Sequence, residues 1–483
     1  MTTPWSMSPD RPRRLRRLVA LAALAGTFAL SATAGWAVAD PAAFGAAIDG
    51  IARIAPPGGA APGAPAPGPG AGSGVPASPG AAASPGAGSG VPAPSSTPTS
   101  TPTPRPAILP SAPITPTPGV PRAVAARLDR ALARAQQALL LPGVAATVIL
   151  ADGSTWTGAL GLADAAAGRP VRPGTPFAAA SVTKTFIAAL VLRYVDQGLI
   201  GLDDPLAGWL PEWPNARRIT IRMLLNHTSG IPDFFRNPEL DLALNRDMKR
   251  SWTTAEVLEG YVTNGAVFPP GRGWSYSNTN YLLLGLVAAE VGGAPWEALV
   301  RRELIEPLGL HSTYVQAVEE PLTPPAIAHR IIDGYRGPTP QARTDGSTVV
   351  PFRSVVTAAG PAGALASTTG DLARWAQALY RGTAVVSPAT RRQMLTFVET
   401  SAYGNGTSYG LGVSRMRFNG RSAFGHSGAL VGTRAAIRYF PREKVTVAVL
   451  FNRDTFVGDD VVRILARAIF PEPAASPTPT PAP

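Results

Sequence analysis

Residues 435–451 read Ala-Ala-Ile-Arg-Tyr-Phe-Pro-Arg-Glu-Lys-Val-Thr-Val-Ala-Val-Leu-Phe. Two runs rich in β-branched and aromatic residues, Ala435–Phe440 and Val445–Phe451, flank a short segment opened by Pro441, so the spacing predicts an antiparallel hairpin. A helical pattern follows from about Asp459 to Phe470. The same signature stands far upstream in mirror order. Val124, Leu128, Leu132, Ala135 and Leu139 recur at helical spacing and stop at Pro142-Gly143; Val144–Leu150 is a β-branched run, and Asp152-Gly153 turns it into Trp156–Leu162. Two hairpins flanked by terminal helices predict one antiparallel sheet drawn from both chain ends. The residues between them carry mainly helical and loop signal, so the expected class is α+β with a helical insertion.

Composition sets the boundaries of that unit. The chain has 483 residues with 52 prolines, spread unevenly. Residues 40–121 are almost wholly Ala, Pro, Gly, Ser and Thr, too poor in large apolar side chains to offset their ordering entropy, and are expected to be a disordered linker. Residues 472–483 repeat the Pro/Thr bias and are expected to be a disordered tail. The folded unit is therefore placed at 122–471. Ahead of the linker, Arg13-Arg14-Leu15-Arg16-Arg17 precedes an uncharged run from Leu18 to Ala39, closing on Ala37-Val38-Ala39, which is the layout of an export signal. The run is long enough that residues 1–39 read either as a cleaved signal peptide or as an uncleaved membrane anchor. Both place the domain outside the cytoplasm, secreted or held on the outer face of the membrane.

Cysteine is absent, which excludes a thiol nucleophile and disulfide support. The four histidines show no close pairing, and neither a metal nor any cofactor is expected. The net charge of +12 comes from a chain that writes nearly every cation as Arg, its only lysines being Lys184, Lys249 and Lys444. No basic run with interleaved aromatics marks a nucleic-acid face. Nothing in the sequence speaks to oligomeric state.

Ala180-Ser181-Val182-Thr183-Lys184 opens an apolar helical pattern through Ile187, Leu190, Val191, Tyr194 and Val195 that closes at Gly198. Ser181 and Lys184 stand at i and i+3 and share a helix face, within reach of a hydroxyl-to-amine hydrogen bond. A serine hydroxyl becomes a nucleophile when a base takes its proton, and a lysine can be that base where burial and the positive helix end lower its pKa. Arginine cannot do this. Taken alone the pair reads equally as a capping serine and a solvated lysine, so its neighbours decide.

Trp274-Ser275-Tyr276-Ser277-Asn278 leads into an apolar helix running through Leu282 to Val291. Tyr276 offers a phenol for proton relay and Asn278 an amide that could orient an amine and a substrate carbonyl; the plainer readings are a half-buried tyrosine and a helix N-cap. Gly425-His426-Ser427-Gly428-Ala429 precedes the C-terminal hairpin as a loop beside a strand edge, where a substrate backbone could pair as an added strand.

In order, Ser181-x-x-Lys184, Tyr276-x-Asn278 and His426-Ser427-Gly428 are separated by 95 and 150 residues from one motif start to the next. Together they resemble the three active-site motifs of the serine β-lactamase and penicillin-binding superfamily. Leu140–Val144, Leu224–Asp233 and Ala362–Leu372 add further similarity, which spans nearly all of 123–470. Class C β-lactamases, secreted D-alanyl-D-alanine carboxypeptidases and related esterases are the members it is most similar to. The resemblance implies a β-lactamase-like fold and an acyl-enzyme on Ser181, with Lys184 taking its proton. It further implies that Tyr276 protonates the leaving group and helps activate water, that Asn278 holds a substrate carbonyl, and that the backbone N–H groups of Ser181 and Ala429 form the oxyanion hole. His426, Ser427 and Gly428 would line the substrate.

Two departures bear on the substrate. β-Lactamases of this group carry Lys-Thr-Gly where this chain has His426-Ser427-Gly428, so a group titrating near pH 6.5 replaces a permanent charge. Carboxypeptidase relatives with His there follow the glycine with a hydroxyl residue, and Ala429 has none; Ser427 and Arg434 or Arg415 are the residues left to meet a carboxylate. The expected substrate is a small molecule or peptide bearing an ester or amide, with D-alanyl peptides, peptidoglycan, β-lactams and small esters all open. The competing reading is a non-hydrolytic binder of cell-wall material or peptide using the same cleft.

Overall fold

The computed structural model describes residues 119–471 apart from 264, 335–336, 401–406 and 456. The stretches expected to be a signal or anchor (1–39), nearly all of a linker (40–121) and a tail (472–483) lie outside the described residues. Helix α1 (Arg122–Ala138) starts directly after Pro121 and buries Leu128, Ala131, Leu132 and Ala135, an i, i+3, i+4, i+7 stripe. Strands β1 (Gly143–Ile149) and β2 (Thr155–Asp164) form the first hairpin, and β3 (Arg169–Pro170) edges it. Helices α2 (Thr183–Asp196), α3 (Asn278–Gly292) and α4 (Thr369–Tyr380) lie in the insertion. Strands β4 (Val398–Glu399), β5 (Ser408–Tyr409), β6 (Ser414–Phe418), β7 (Arg421–Leu430), β8 (Thr433–Phe440) and β9 (Val445–Phe451) complete a nine-stranded sheet, and α5 (Gly458–Ile469) closes the fold.

The sheet order is β3-β2-β1-β9-β8-β7-β6-β5-β4, with every pairing antiparallel. The two chain ends meet at β1 and β9, where Ala146 opposes Val449, as the two hairpins predicted. Side-chain alternation explains why both central strands are buried on both faces. Val144, Ala146 and Val148 of β1 and Val447, Val449 and Phe451 of β9 pack outward with Leu132, Val461 and Leu465 of the terminal helices. Ala145, Ala448 and Leu450 pack inward with the insertion, where Leu190, Leu283 and Trp375 form the larger core.

The insertion is less purely helical than the periodicity suggested. It supplies β4–β7, a three-stranded sheet (Phe177–Ala178, Leu365–Ser367, Tyr314–Val315) and a hairpin (Ala328–Gly334 with Gly337–Arg343). The strands of two or three residues among these are too short to display a period of two. The Gly425–Ala429 motif is also strand rather than loop, lying within β7.

Two contacts position the site. Phe186 of α2 stacks on Trp375 of α4 at 3.9 Å between ring centroids, and Trp375 Nε1 donates to Thr185 Oγ1 at 2.8 Å, fixing α2 against the inner face. Strand β6 pairs only with Arg421–Gly425 of β7, so from His426 to Leu430 that edge of β7 has no strand partner among the described residues.

Candidate active site

Ser181 sits in a 3-10 turn, Ala180–Val182, that runs straight into α2. The turn is held from two sides. Ala179 N donates to Leu365 O at 2.8 Å, and Leu365 N donates to Thr183 Oγ1 at 3.1 Å. On the other side Gly428 of β7 lies against it, so close that a Cβ there would sit 2.2 Å from Ala179 O. Ala180 is forced to φ +48°, a left-handed conformation that costs a non-glycine residue roughly 1–2 kcal/mol. Ser181 follows Ala180 and Ala429 follows Gly428, so the two backbone N–H groups expected to form an oxyanion hole belong to adjoining stretches. Ser181 is half-buried and Ala429 exposed.

Lys184 is fully buried, and its Nζ lies 3.1 Å from Ser181 Oγ, 2.7 Å from Asn278 Oδ1 and 2.7 Å from the Ala362 carbonyl oxygen. A neutral amine has two hydrogens and one lone pair. Two of the three partners can only accept, so in the neutral form they use both hydrogens and the lone pair is left for the Ser181 hydroxyl proton. Burial pushes the amine down to about 7, against the opposing influence of the Asp233 carboxylate. Desolvation therefore supplies the lowering expected from the sequence.

Asn278 is the first residue of α3, and Ser277 occupies the N-cap position. Its amide orientation follows from its partners: Oδ1 faces the lysine, while Nδ2 donates to both oxygens of Asp233 at 3.1 and 3.0 Å. Asp233, half-buried, also accepts from the backbone N–H groups of Asn278 and Phe235, each at 3.2 Å. Burial raises its carboxyl above the usual range, with these donors and Lys184 pulling the other way. The Tyr276 ring centroid lies 5.0 Å from Lys184 Nζ and 4.3 Å from the His227 ring.

His426 meets the cluster from β7, its ring 6.3 Å from that of Tyr276. Its Nδ1 is 2.6 Å from the Ser427 carbonyl oxygen, which can only accept, so the proton resides on Nδ1 and Nε2 accepts from Tyr409 Oη at 2.8 Å. Burial and the Lys184 charge push the imidazole down to about 3. This corrects the expectation of a group titrating near pH 6.5: the ring stays neutral across the physiological range.

Ser427 points to the opposite face of β7. Its hydroxyl donates to Asp459 of α5 and accepts from Arg438 Nη2 at 2.7 Å, so its side chain does not line the cleft. The arginines considered for a carboxylate are also engaged. Arg434 donates to the carbonyls of Leu430 and Thr433, each at 2.8 Å, and to that of Asp454; Arg415 pairs with Glu399 at 3.3 Å.

Ser181, Lys184, Tyr276, Asn278, His426 and Gly428 thus converge, with Ala429 at their edge. Asp233, His227 and Tyr409 join them without having been singled out for a role. His227 and Asp233 lie inside the Leu224–Asp233 stretch, where buried polar residues in a Gly-Pro loop were the available signal. Tyr409, in a two-residue strand, gave none.

A family model described as Beta-lactamase matches residues 128–470. Penicillin-binding protein 4* of Bacillus subtilis (strain 168) is 29% identical over 345 residues, covering 68% of this chain and 72% of the relative. Esterase EstB of Burkholderia gladioli is 33% identical over 258 residues, covering 50% and 65%. Among solved structures, D-amino acid amidase from Ochrobactrum anthropi SV3 superposes with a TM-score of 0.60 at 26% identity, covering 72% of this chain and 97% of that one. A serine and a buried lysine one helical turn apart, in a fold of this architecture, agree with that match, and the chain belongs to the Beta-lactamase family of serine hydrolases.

Proposed function

We propose that the protein is an exported acyl-enzyme hydrolase of esters and amides whose recognised end carries no carboxylate. The observation that carries the chemistry is the Lys184 environment: Asn278 Oδ1 and Ala362 O accept from the amine at 2.7 Å each and Ser181 Oγ stands 3.1 Å away, where the lone pair of the neutral amine can take its proton. In acylation, Ser181 Oγ bonds to the substrate carbonyl carbon as its proton passes to Lys184 Nζ. The carbonyl oxygen takes the electron pair beside the N–H groups of Ser181 and Ala429. Collapse re-forms the carbonyl and breaks the bond to the leaving group, which takes the proton back through Tyr276. Water then repeats the sequence on the ester of Ser181, releasing the acid and restoring the hydroxyl.

The limit on substrate rests on charge. His426 is neutral where the β-lactamases of this group carry a lysine, Ala429 lacks the hydroxyl that follows the glycine in carboxypeptidase relatives with His, Ser427 faces away, and Arg434 and Arg415 have other partners. An anionic terminus would find little compensation for its desolvation. Relatives named as an esterase, a D-aminopeptidase and a D-amino acid amidase are compatible with uncharged ester and amide substrates. Export rests on the Arg13–Arg17 cluster and the uncharged run to Ala39, with residues 1–39 either cleaved or kept as an anchor.

The test is parallel turnover of a short-chain nitrophenyl ester, a D-amino acid amide, nitrocefin and a D-Ala-D-Ala peptide, with intact-mass detection of a phosphonate adduct. The expected result is a stoichiometric adduct absent in Ser181→Ala, and faster turnover of the uncharged substrates. An unmodified wild-type protein with no turnover would favour a binding role instead.

A further inference from the structure

Asp233 has a place in this site that a loop residue of purely structural value would not need. Its carboxylate caps the short turn Phe234–Arg236 by accepting from Phe235 N at 3.2 Å, a local role. The same two oxygens also grip the Asn278 amide at 3.1 and 3.0 Å and the Asn278 backbone N–H at 3.2 Å. An unrestrained Asn amide could turn by half a rotation and present Nδ2 to the lysine, two donors facing each other. With a carboxylate on one side and an amine on the other, only the orientation with Oδ1 on Lys184 satisfies both.

We infer that Asp233 is a positioning residue of the catalytic base, fixing the Asn278 amide so that its oxygen holds the Lys184 amine and placing one negative charge behind that amine. The chain Asp233, Asn278, Lys184, Ser181 is continuous through contacts of 3.0, 2.7 and 3.1 Å. It rests on the acyl-enzyme reading above.

The groups around the amine give the charge its weight. From the 3-10 turn ahead of α2 comes Ser181; from the turn Gly360–Ala362, the Ala362 carbonyl; from α3 and the residues before it, Asn278, Tyr276 and Tyr281, the last with its ring centroid 5.4 Å from Nζ. His227 from the loop after Leu225 and His426 from β7 also feel the lysine charge, and burial keeps both neutral. Among these described neighbours Asp233 is the acid. It opposes the desolvation that drives the lysine toward its neutral form, so it sets how far down in pH the amine remains a neutral base.

The experiment compares Asp233→Asn and Asp233→Glu with wild type. Asn keeps acceptor and donor atoms but removes the charge; Glu keeps the charge but moves it by a methylene. The readouts are kcat/KM against pH on a neutral nitrophenyl ester, phosphonate labelling of Ser181 by intact mass, and Tm. Asp233→Asn should move the acidic limb to lower pH by about one unit. Asp233→Glu should leave the limb in place while kcat/KM drops about tenfold through a misplaced amide. A limb unmoved in Asp233→Asn, with any change confined to Tm, would reduce Asp233 to a loop cap. Should Asp233→Asn not fold, an unchanged rate in Asp233→Glu overturns the inference by itself. A wild-type enzyme that takes no phosphonate and turns over no substrate would instead overturn the acyl-enzyme reading, which keeps the two failures separate.

Discussion

A Cβ placed on Gly428 would lie 2.2 Å from the carbonyl oxygen of Ala179 and 3.1 Å from the Ala180 side chain, so the strand that lines the cleft and the turn that carries the nucleophile touch backbone to backbone. No side chain fits between them. Gly428→Ala must push β7 and the 180–182 turn apart, and both are held elsewhere by ladders and caps. A displacement near 1 Å between nucleophile and oxyanion donors costs about a factor of 100 in rate. Gly428→Ala is therefore expected to lower kcat/KM on a nitrophenyl ester by about that factor while the protein still folds, as checked by circular dichroism. Activity within threefold of wild type would mean that β7 does not border the reacting centre.

The lysine predicts the pH profile. The amine acts as base only when neutral, and burial brings it down to about 7. kcat/KM should rise with pH through about 7 and level off above it, falling about tenfold for each unit below. Lys184→Arg keeps the cation but cannot supply a lone pair, so it should lose about 100- to 10,000-fold and show no such limb. Stopped-flow acylation across pH 5–9 reads both effects.

His426 should be silent in that profile. With its proton on Nδ1 and Nε2 accepting from Tyr409, its pKa lies at about 3. Its nitrogen resonances should stay constant from pH 8 down to pH 5. Stability behaves differently. The folded-state pKa is below the unfolded value, so the unfolded chain binds more protons between about 6.5 and 3; stability is complete above that window and declines as pH falls through it. His426→Gln should flatten part of the fall in Tm over that range.

The legible part of the molecule was the part with a period. Val144–Leu150, Trp156–Leu162 and Val445–Phe451 alternate or run apolar for seven residues, and their hairpins and flanking helices appear where the sequence put them. Ser181 and Lys184 were legible because three residues on a helix are neighbours in space. Asp233, His227 and Tyr409 were not, because irregular backbone delivers them: His227 holds φ +65°, and Tyr409 sits on a two-residue strand. The error over His426 has another origin, since it lies in the regular strand β7. A histidine in a Gly-His-Ser-Gly stretch looks exposed, and only the packing of Tyr409 and Tyr276 around it shows that it is buried.

Arg438 and Asp459 invite the last prediction, since they occupy the face of β7 and β8 turned away from the cleft. Arg438 is completely buried, with Nε 2.7 Å from Asp459 Oδ1 and Nη2 2.8 Å from Oδ2, and it also donates to Ser414 Oγ at 3.0 Å and Ser427 Oγ at 2.7 Å. Burial would raise the Asp459 carboxyl, but the guanidinium and the Ser427 hydroxyl outweigh it and hold the group below its ordinary value. Removing one partner strands the other charge among apolar neighbours such as Phe418, at a cost of about 3–5 kcal/mol. Arg438→Met and Asp459→Leu should each lose about that much in urea denaturation. The double variant should lose less than the sum, because no stranded charge remains. Each single variant removes one of the two partners of Ser427 and the double variant removes both, so kcat should fall more than KM rises, and furthest in the double variant. Strict additivity would show that the two side chains stabilise the protein independently rather than as one buried pair.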